Sequence, residues 1–127
     1  MSFRLNKYQL EKYSRQIILK DVGALGQKKI IKSKVLIVGM GGLGCPVAEF
    51  LTRAGIGNIG IVDFDKVDLS NIHRQSLFNL KDLKKSKVVA AKKKLNTINS
   101  QTKVKCYNLK LTKKNQIKII KNYDYIV

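Results

Sequence analysis

The sequence predicts an α/β fold built on a parallel sheet, with a short helical arm ahead of it. Three observations carry that expectation. Lys34-Val35-Leu36-Ile37-Val38 is a continuous apolar run of strand length, the pattern of a central strand buried on both faces. A glycine-rich turn, Gly39 to Gly44, follows it directly and leads into a helical pattern. Strand-length and helical runs then keep alternating, which implies parallel strands joined by right-handed crossovers.

Taken in order, Asn6 to Ile18 reads as one helical arm, closed by a turn at Asp21-Val22-Gly23. Ala24 to Ser33 reads as a second short helix, with Leu25, Ile30 and Ile31 available for one face. Residues 1–33 are thus expected to form the arm and residues 34–127 the main domain. After the first strand, a helix runs from Cys45 to Ala54. Pro46 suits its first turn, and Gly55 suits its C-terminal cap. Asn58 to Asp63 reads as the second strand, and the polar segment Phe64 to Gln75 as a loop. Ser86 to Asn99 is a helix with Val88, Ala91, Leu95 and Ile98 on one stripe. Thr102 to Leu111 is a third strand through Val104, Cys106 and Leu109. Lys113 to Asn122 is a last helix around Ile117 and Ile120. Tyr123 to Val127 opens a fourth strand, and the sequence reads as stopping within it.

The length of 127 residues suits one compact domain with a modest core. Its 26 basic and 8 acidic residues give a net charge of +18, which suits a nucleic-acid or anionic-membrane binder. However, 22 of those basic residues are Lys and 4 are Arg, alongside 14 Ile and 9 Asn. A phosphate-reading surface favours the forked donors of Arg, so the lysines read as solvated faces of compositional origin. Neither nucleic acid nor membrane is the expected partner. The apolar runs fall far short of the roughly 18 residues of a membrane span. Met1 to Tyr8 lacks the apolar stretch of a secretory signal. Cys45 and Cys106 form no pairing motif, so the cytoplasm is the expected compartment, and both read as small core residues.

Gly39-Met40-Gly41-Gly42-Leu43-Gly44 satisfies G-x-G-x-x-G between a strand and a helix. Gly39 permits the tight turn, Gly41 lets backbone N–H groups approach an anion, and Gly44 lets helix and strand pack closely. The helix N-terminus adds its partial positive charge beneath a phosphate. Asp63 ends the second strand, where an acid can hold ribose hydroxyls. Together these features indicate a Rossmann-like nucleotide site, as readily for NAD as for ATP. The next loop separates the two. Asp63-Phe64-Asp65-Lys66-Val67-Asp68-Leu69-Ser70-Asn71-Ile72-His73-Arg74-Gln75, with Lys87 beyond it, gathers carboxylates, an amide, a guanidinium and an ammonium. Such a set can hold ribose, a triphosphate and a cation, which an NAD site does not need. Asp65 and Asp68 are candidate cation contacts, but neither is assigned as a metal ligand. His73, the only histidine, reads as a loop residue rather than a general base.

Tyr13-Ser14-Arg15-Gln16, the glycine turn and the run from Asp63 to Gln75 together resemble the ThiF/MoeB adenylyltransferases, bacterial relatives of ubiquitin-activating enzymes. The likeness extends from Tyr13 to Val127. It implies an enzyme that uses ATP and Mg2+ to adenylate the C-terminal glycine carboxylate of a ubiquitin-like sulfur-carrier protein, of the molybdopterin or thiamine type. By position, Gly42 and Asp63 would contact the nucleotide. Ser70, Asn71, Arg74 and Lys87 would contact ribose and phosphates, and Arg15 would reach the triphosphate from the other subunit of a homodimer. The resemblance implies zinc only in a longer form, since the family's zinc-binding cysteine pairs and its magnesium-holding aspartate lie beyond Val127. An NAD-dependent oxidoreductase and a non-catalytic nucleotide-binding fragment are the alternative readings.

Overall fold

The computed structural model describes residues 3–127. Its centre is a parallel sheet of β1 (Lys34–Val38), β2 (Asn58–Val62), β3 (Lys103–Tyr107) and β4 (Tyr125–Ile126), in the order β3-β2-β1-β4. β1 pairs with β2 residue for residue, Val35 opposite Ile59 and Ile37 opposite Ile61, and β2 pairs with β3 in the same way. The crossovers are α4 (Gly44–Ala54), α5 (Lys87–Ile98) and α6 (Gln116–Ile120), while α1 (Lys7–Lys12), α2 (Ser14–Ile17) and α3 (Gly23–Lys32) precede the sheet.

Both faces of the sheet are covered, which is why the middle of β1, Val35 to Ile37, is apolar and buried. Val35, Ile37, Ile59 and Ile61 pack into one core with Ala48 of α4 and Leu95 of α5. Leu36 and Val62 form a second, smaller core with Ile119 of α6. Gly55 ends α4 in the left-handed conformation at φ 100°, as the cap expectation requires.

Four local expectations need correction. The arm is not one helix: it breaks at Tyr13, whose φ of −104° and ψ of 13° turn the side chain inward to 2 % exposure. In α3, Leu25 faces solvent and Gln27 is fully buried instead. β3 ends at Tyr107 rather than Leu111. Its partner β2 stops at Val62, and the Tyr107 carbonyl accepts its last bond from Asp63 N–H. Residues Lys113 to Asn115 form a turn, closed by Thr112 N–H donating to Asn115 Oδ1, so the helix starts at Gln116. That start puts Ile117 in solvent and Ile119 in the core. Leu77 and Phe78, which carry no periodic signal, are buried in the main core.

Candidate nucleotide site

The carboxyl ends of β1 and β2 meet at a turn that only glycine can make. Gly39 leaves β1 at φ 102° and donates its N–H to the Val62 carbonyl at 2.7 Å. Gly44 opens α4 so close to that turn that a Cβ would strike the Gly39 carbonyl. At Gly41 the space is open, as an approaching anion requires. Gly42 lies under the methylenes of Arg74, with room for ordinary contact.

Asp63 ties this turn to the next loop. Its Oδ2 accepts from Met40 N–H and its Oδ1 from Asp65 N–H, both at 2.8 Å. Each oxygen keeps a further lone pair for a ribose hydroxyl. Beyond it, Asp68 caps a 3-10 turn, Leu69–Asn71, accepting from the Ser70 amide and hydroxyl at 2.9 and 2.7 Å. Those bonds hold the Asp68 carboxyl below its ordinary range. Asn71 is buried, and its Oδ1 accepts from Asp68 N–H in return. Arg74 is exposed, steadied by its bond to the Ser70 carbonyl at 2.8 Å and by His73 Nε2 at 2.9 Å.

Lys87 starts α5 and is 6 % exposed, with Nζ 3.9 Å from Asp65 Oδ2. Beside it, Ser86 Oγ is buried without a hydrogen-bond partner among the described residues. The glycine turn, Asp63, the loop from Asp65 to Arg74, and Lys87 therefore surround one end of the sheet. No motif in the sequence marks the other wall. A cleft of about 270 Å³ lies between Gly39 and Asp63 on one side and Leu109, Lys110 and Leu111 on the other. Phe64 also lines it, with Lys110 Nζ 5.9 Å from its ring centroid. The available signal was topological, because ligands of open α/β sheets sit beyond the strand carboxyl ends, where the loop after β3 must fall.

Arg15 is not brought to this site within one chain. Its neighbour Gln16 bonds the Ala54 carbonyl at the C-terminal end of α4, whereas the glycine turn opens that helix. Eleven helical residues, about 16 Å of axis, separate the two ends. Magnesium finds no donor set here. Asp68 is held by Ser70, Asp65 faces Lys87, and no group of three His, Cys, Asp or Glu converges among the described residues. Cys45 is fully buried below the turn, and burial pushes its thiol up to about 11, the state of a packing residue rather than a nucleophile. His73 lies exposed beside Arg74.

The sulfur carrier protein adenylyltransferase of Thermus thermophilus is 40% identical over 124 residues, 98% of this chain and 46% of its own length. The adenylyltransferase and sulfurtransferase MOCS3 of Anopheles gambiae is 43% identical over 124 residues, which is 98% of this chain and 28% of that protein. Among solved structures, E. coli MccB with ATP superposes at a TM-score of 0.79 and 31% identity, over 91% of this chain and 36% of that one. The chain thus spans less than half the length of the curated relatives it matches. The ThiF family pattern runs through residues 13–127, from the arm's Tyr13 through the glycine turn and the Asp63 loop, and the chain belongs to the ThiF family.

Proposed function

We propose that this chain binds ATP for an adenylyltransferase that activates the C-terminal glycine carboxylate of a ubiquitin-like sulfur-carrier protein, in molybdopterin or thiamine biosynthesis. One observation carries the reading: Arg74 lies over Gly42 while Asp63 bonds the glycine turn, so cation, turn and ribose-binding acid share one edge of the sheet. An NAD site needs no guanidinium there. The names of the relatives and the ATP held by MccB support the same choice.

The carboxylate of the carrier is already an anion at neutral pH, so no general base is needed. It attacks the α-phosphorus of ATP, forming an acyl adenylate and releasing pyrophosphate. This chain supplies position and charge neutralisation. Gly41 and Gly42 present N–H groups to the phosphates on the turn that Gly39 and Gly44 make possible, Asp63 holds the ribose, and Phe64 and Leu109 flank the base. Ser70 and Asn71 shape the loop on which Arg74 meets the phosphates, and Lys87, balanced by Asp65, adds charge from the start of α5. Arg15 enters from the second subunit of a homodimer, since the length of α4 keeps it from its own site. Mg2+ accompanies the triphosphate, with no protein ligand assigned. The compartment is the cytoplasm, in keeping with two free cysteines; no described helix is long and apolar enough to cross a membrane.

Calorimetry with ATP, NAD and an oligonucleotide tests the reading. ATP should bind, and Asp63→Ala and Arg74→Ala should each weaken it by about 1–3 kcal/mol, the worth of a charge-assisted hydrogen bond. Tight NAD binding without ATP binding would sink it.

A further inference from the structure

β3 is the last strand on its side of the sheet, and its outer edge is open. Lys103 N–H donates to the Gly57 carbonyl, and the Tyr107 carbonyl accepts from Asp63 N–H, so these two residues turn their backbone polar groups toward β2. Direction alternates along a strand, which points the backbone groups of Lys105 toward β2 as well and those of Val104 and Cys106 away from it. The N–H and C=O groups of Val104 and Cys106 find no partner among the described residues. Their side chains are occupied on the α5 face: Val104 is part of the main core, and Cys106 Sγ reaches the Val88 carbonyl at 3.2 Å. Such an edge is a template for one more strand. An added peptide takes affinity from the main chain and selectivity from its alternate side chains.

Open space lies where those side chains would fall. On the α6 face, a cleft of about 380 Å³ is lined by Lys34, Asn58, Lys105 and Asn122. On the α5 face, a cleft of about 420 Å³ is lined by Lys92, Asn96 and Ser100, and Lys103 borders both. Lys92, Lys103 and Lys105 are exposed, and none forms an ion pair among the described residues. Asp124, beside the first cleft, has its Oδ2 bound to Lys34 N–H at 2.9 Å. Lysines on an edge repel neutral and basic strands, but they attract an acidic one. An added strand would run about 4.8 Å away, which brings its carboxylates within reach of Lys103 and Lys105. A nucleic-acid backbone fits less well, because phosphate oxygens only accept and would leave the free carbonyls unserved. We propose that the outer edge of β3 docks an extended acidic segment of a partner protein. The segment bonds the main chain of Val104 and Cys106 and sets alternate Asp or Glu side chains against Lys103 and Lys105. The nucleotide turn lies elsewhere, at the carboxyl ends of β1 and β2, so this docking does not depend on the adenylyltransferase reading.

The probe is a fluorescein-labelled peptide of about seven residues alternating Glu with Val, a strand's length, read by anisotropy on the 127-residue chain. It should bind, and the amides of Val104 and Cys106 should shift in NMR spectra and exchange more slowly with solvent. Two control peptides keep every charge but carry N-methyl groups on one or the other alternate set of amides. The one whose methyl groups face β3 should bind at least about tenfold more weakly, and the other should match the parent. Lys103→Glu combined with Lys105→Glu should also weaken the acidic peptide about tenfold or more, and should create binding for a peptide with Lys in place of Glu. Equal binding of both methylated peptides would reduce the attraction to the net charge of +18 and overturn the proposal. No binding of the acidic peptide would leave the lysines as mere guards of the edge and overturn it too. A single-stranded oligonucleotide that shifts the same amides and binds more tightly than the peptide would make this a nucleic-acid surface instead. The methylated peptides act on the unaltered chain, so they decide the matter even if the double variant fails to fold.

Discussion

Replacing Asp63 with Asn changes one atom of the site and should cost more than its size suggests. Both carboxylate oxygens are engaged, Oδ2 by Met40 N–H and Oδ1 by Asp65 N–H. A carboxamide offers one acceptor, so its NH2 group must face the remaining N–H. Met40 is fully buried, and if its N–H is the one abandoned, water cannot replace the lost acceptor. An unsatisfied buried donor costs about 1–3 kcal/mol, and the surviving bond loses the strengthening of a charged acceptor. The sum is about 2–3 kcal/mol, equivalent to a fall in melting temperature on the order of 10 °C for a domain of this size. Urea unfolding would measure it as a lower midpoint at unchanged slope. Asp63→Ala should cost no more than Asp63→Asn, because a half-buried gap admits water where a misdirected amide does not. An Asp63→Asn protein within about 0.5 kcal/mol of the parent would show that the carboxylate does not hold the turn.

Gly44→Ala drives a methyl group into the Gly39 carbonyl and should cost about 1–3 kcal/mol, whereas Gly41→Ala, in open space, should stay within about 0.5 kcal/mol. Equal melting temperatures for the two would contradict the assigned contact. Burial raises the Cys45 thiol from 9.0 to about 11, so its stabilising contribution is complete below pH 9 and is lost as the pH climbs toward 11. The urea midpoint should fall across that window, and fall less in Cys45→Ala. Iodoacetamide at pH 8 should accordingly label the half-buried Cys106 well before Cys45.

What the sequence revealed was local. β1 and the glycine turn were legible because burial on both faces and backbone conformation leave marks within ten residues. Asp63 was legible as an acid at a strand end, but its bond to Met40 N–H was not, since that bond depends on how two loops meet. The break at Tyr13 has no local cause at all: its partner is Asn99, 86 positions away. Leu109, Lys110 and Leu111 read as strand because their alternation is real, yet β2 ends too early to pair with them. In short helices such as α3 and α6, a shift of one or two residues decides which side faces inward. Leu25 and Ile117 face solvent for that reason.

The pairing of β4 with β1 also governs the order in which this sheet can be completed. Val35 lies beside Tyr125 and Leu36 beside Ile126, while Asp124 bonds Lys34 through both its amide and its carboxylate. The outer edge of β1 is therefore satisfied by residues made 90 positions later. During synthesis, β1, α4 and β2 emerge as a unit with that edge bare, and the ribosome must add the whole of α5, β3 and α6 before it can close. Closing so long a loop adds only a slowly growing entropic cost, so the delay is one of time more than of stability. The charged Lys34 at the start of β1 and the shortness of the strand are the features that guard an open edge against pairing with a stranger.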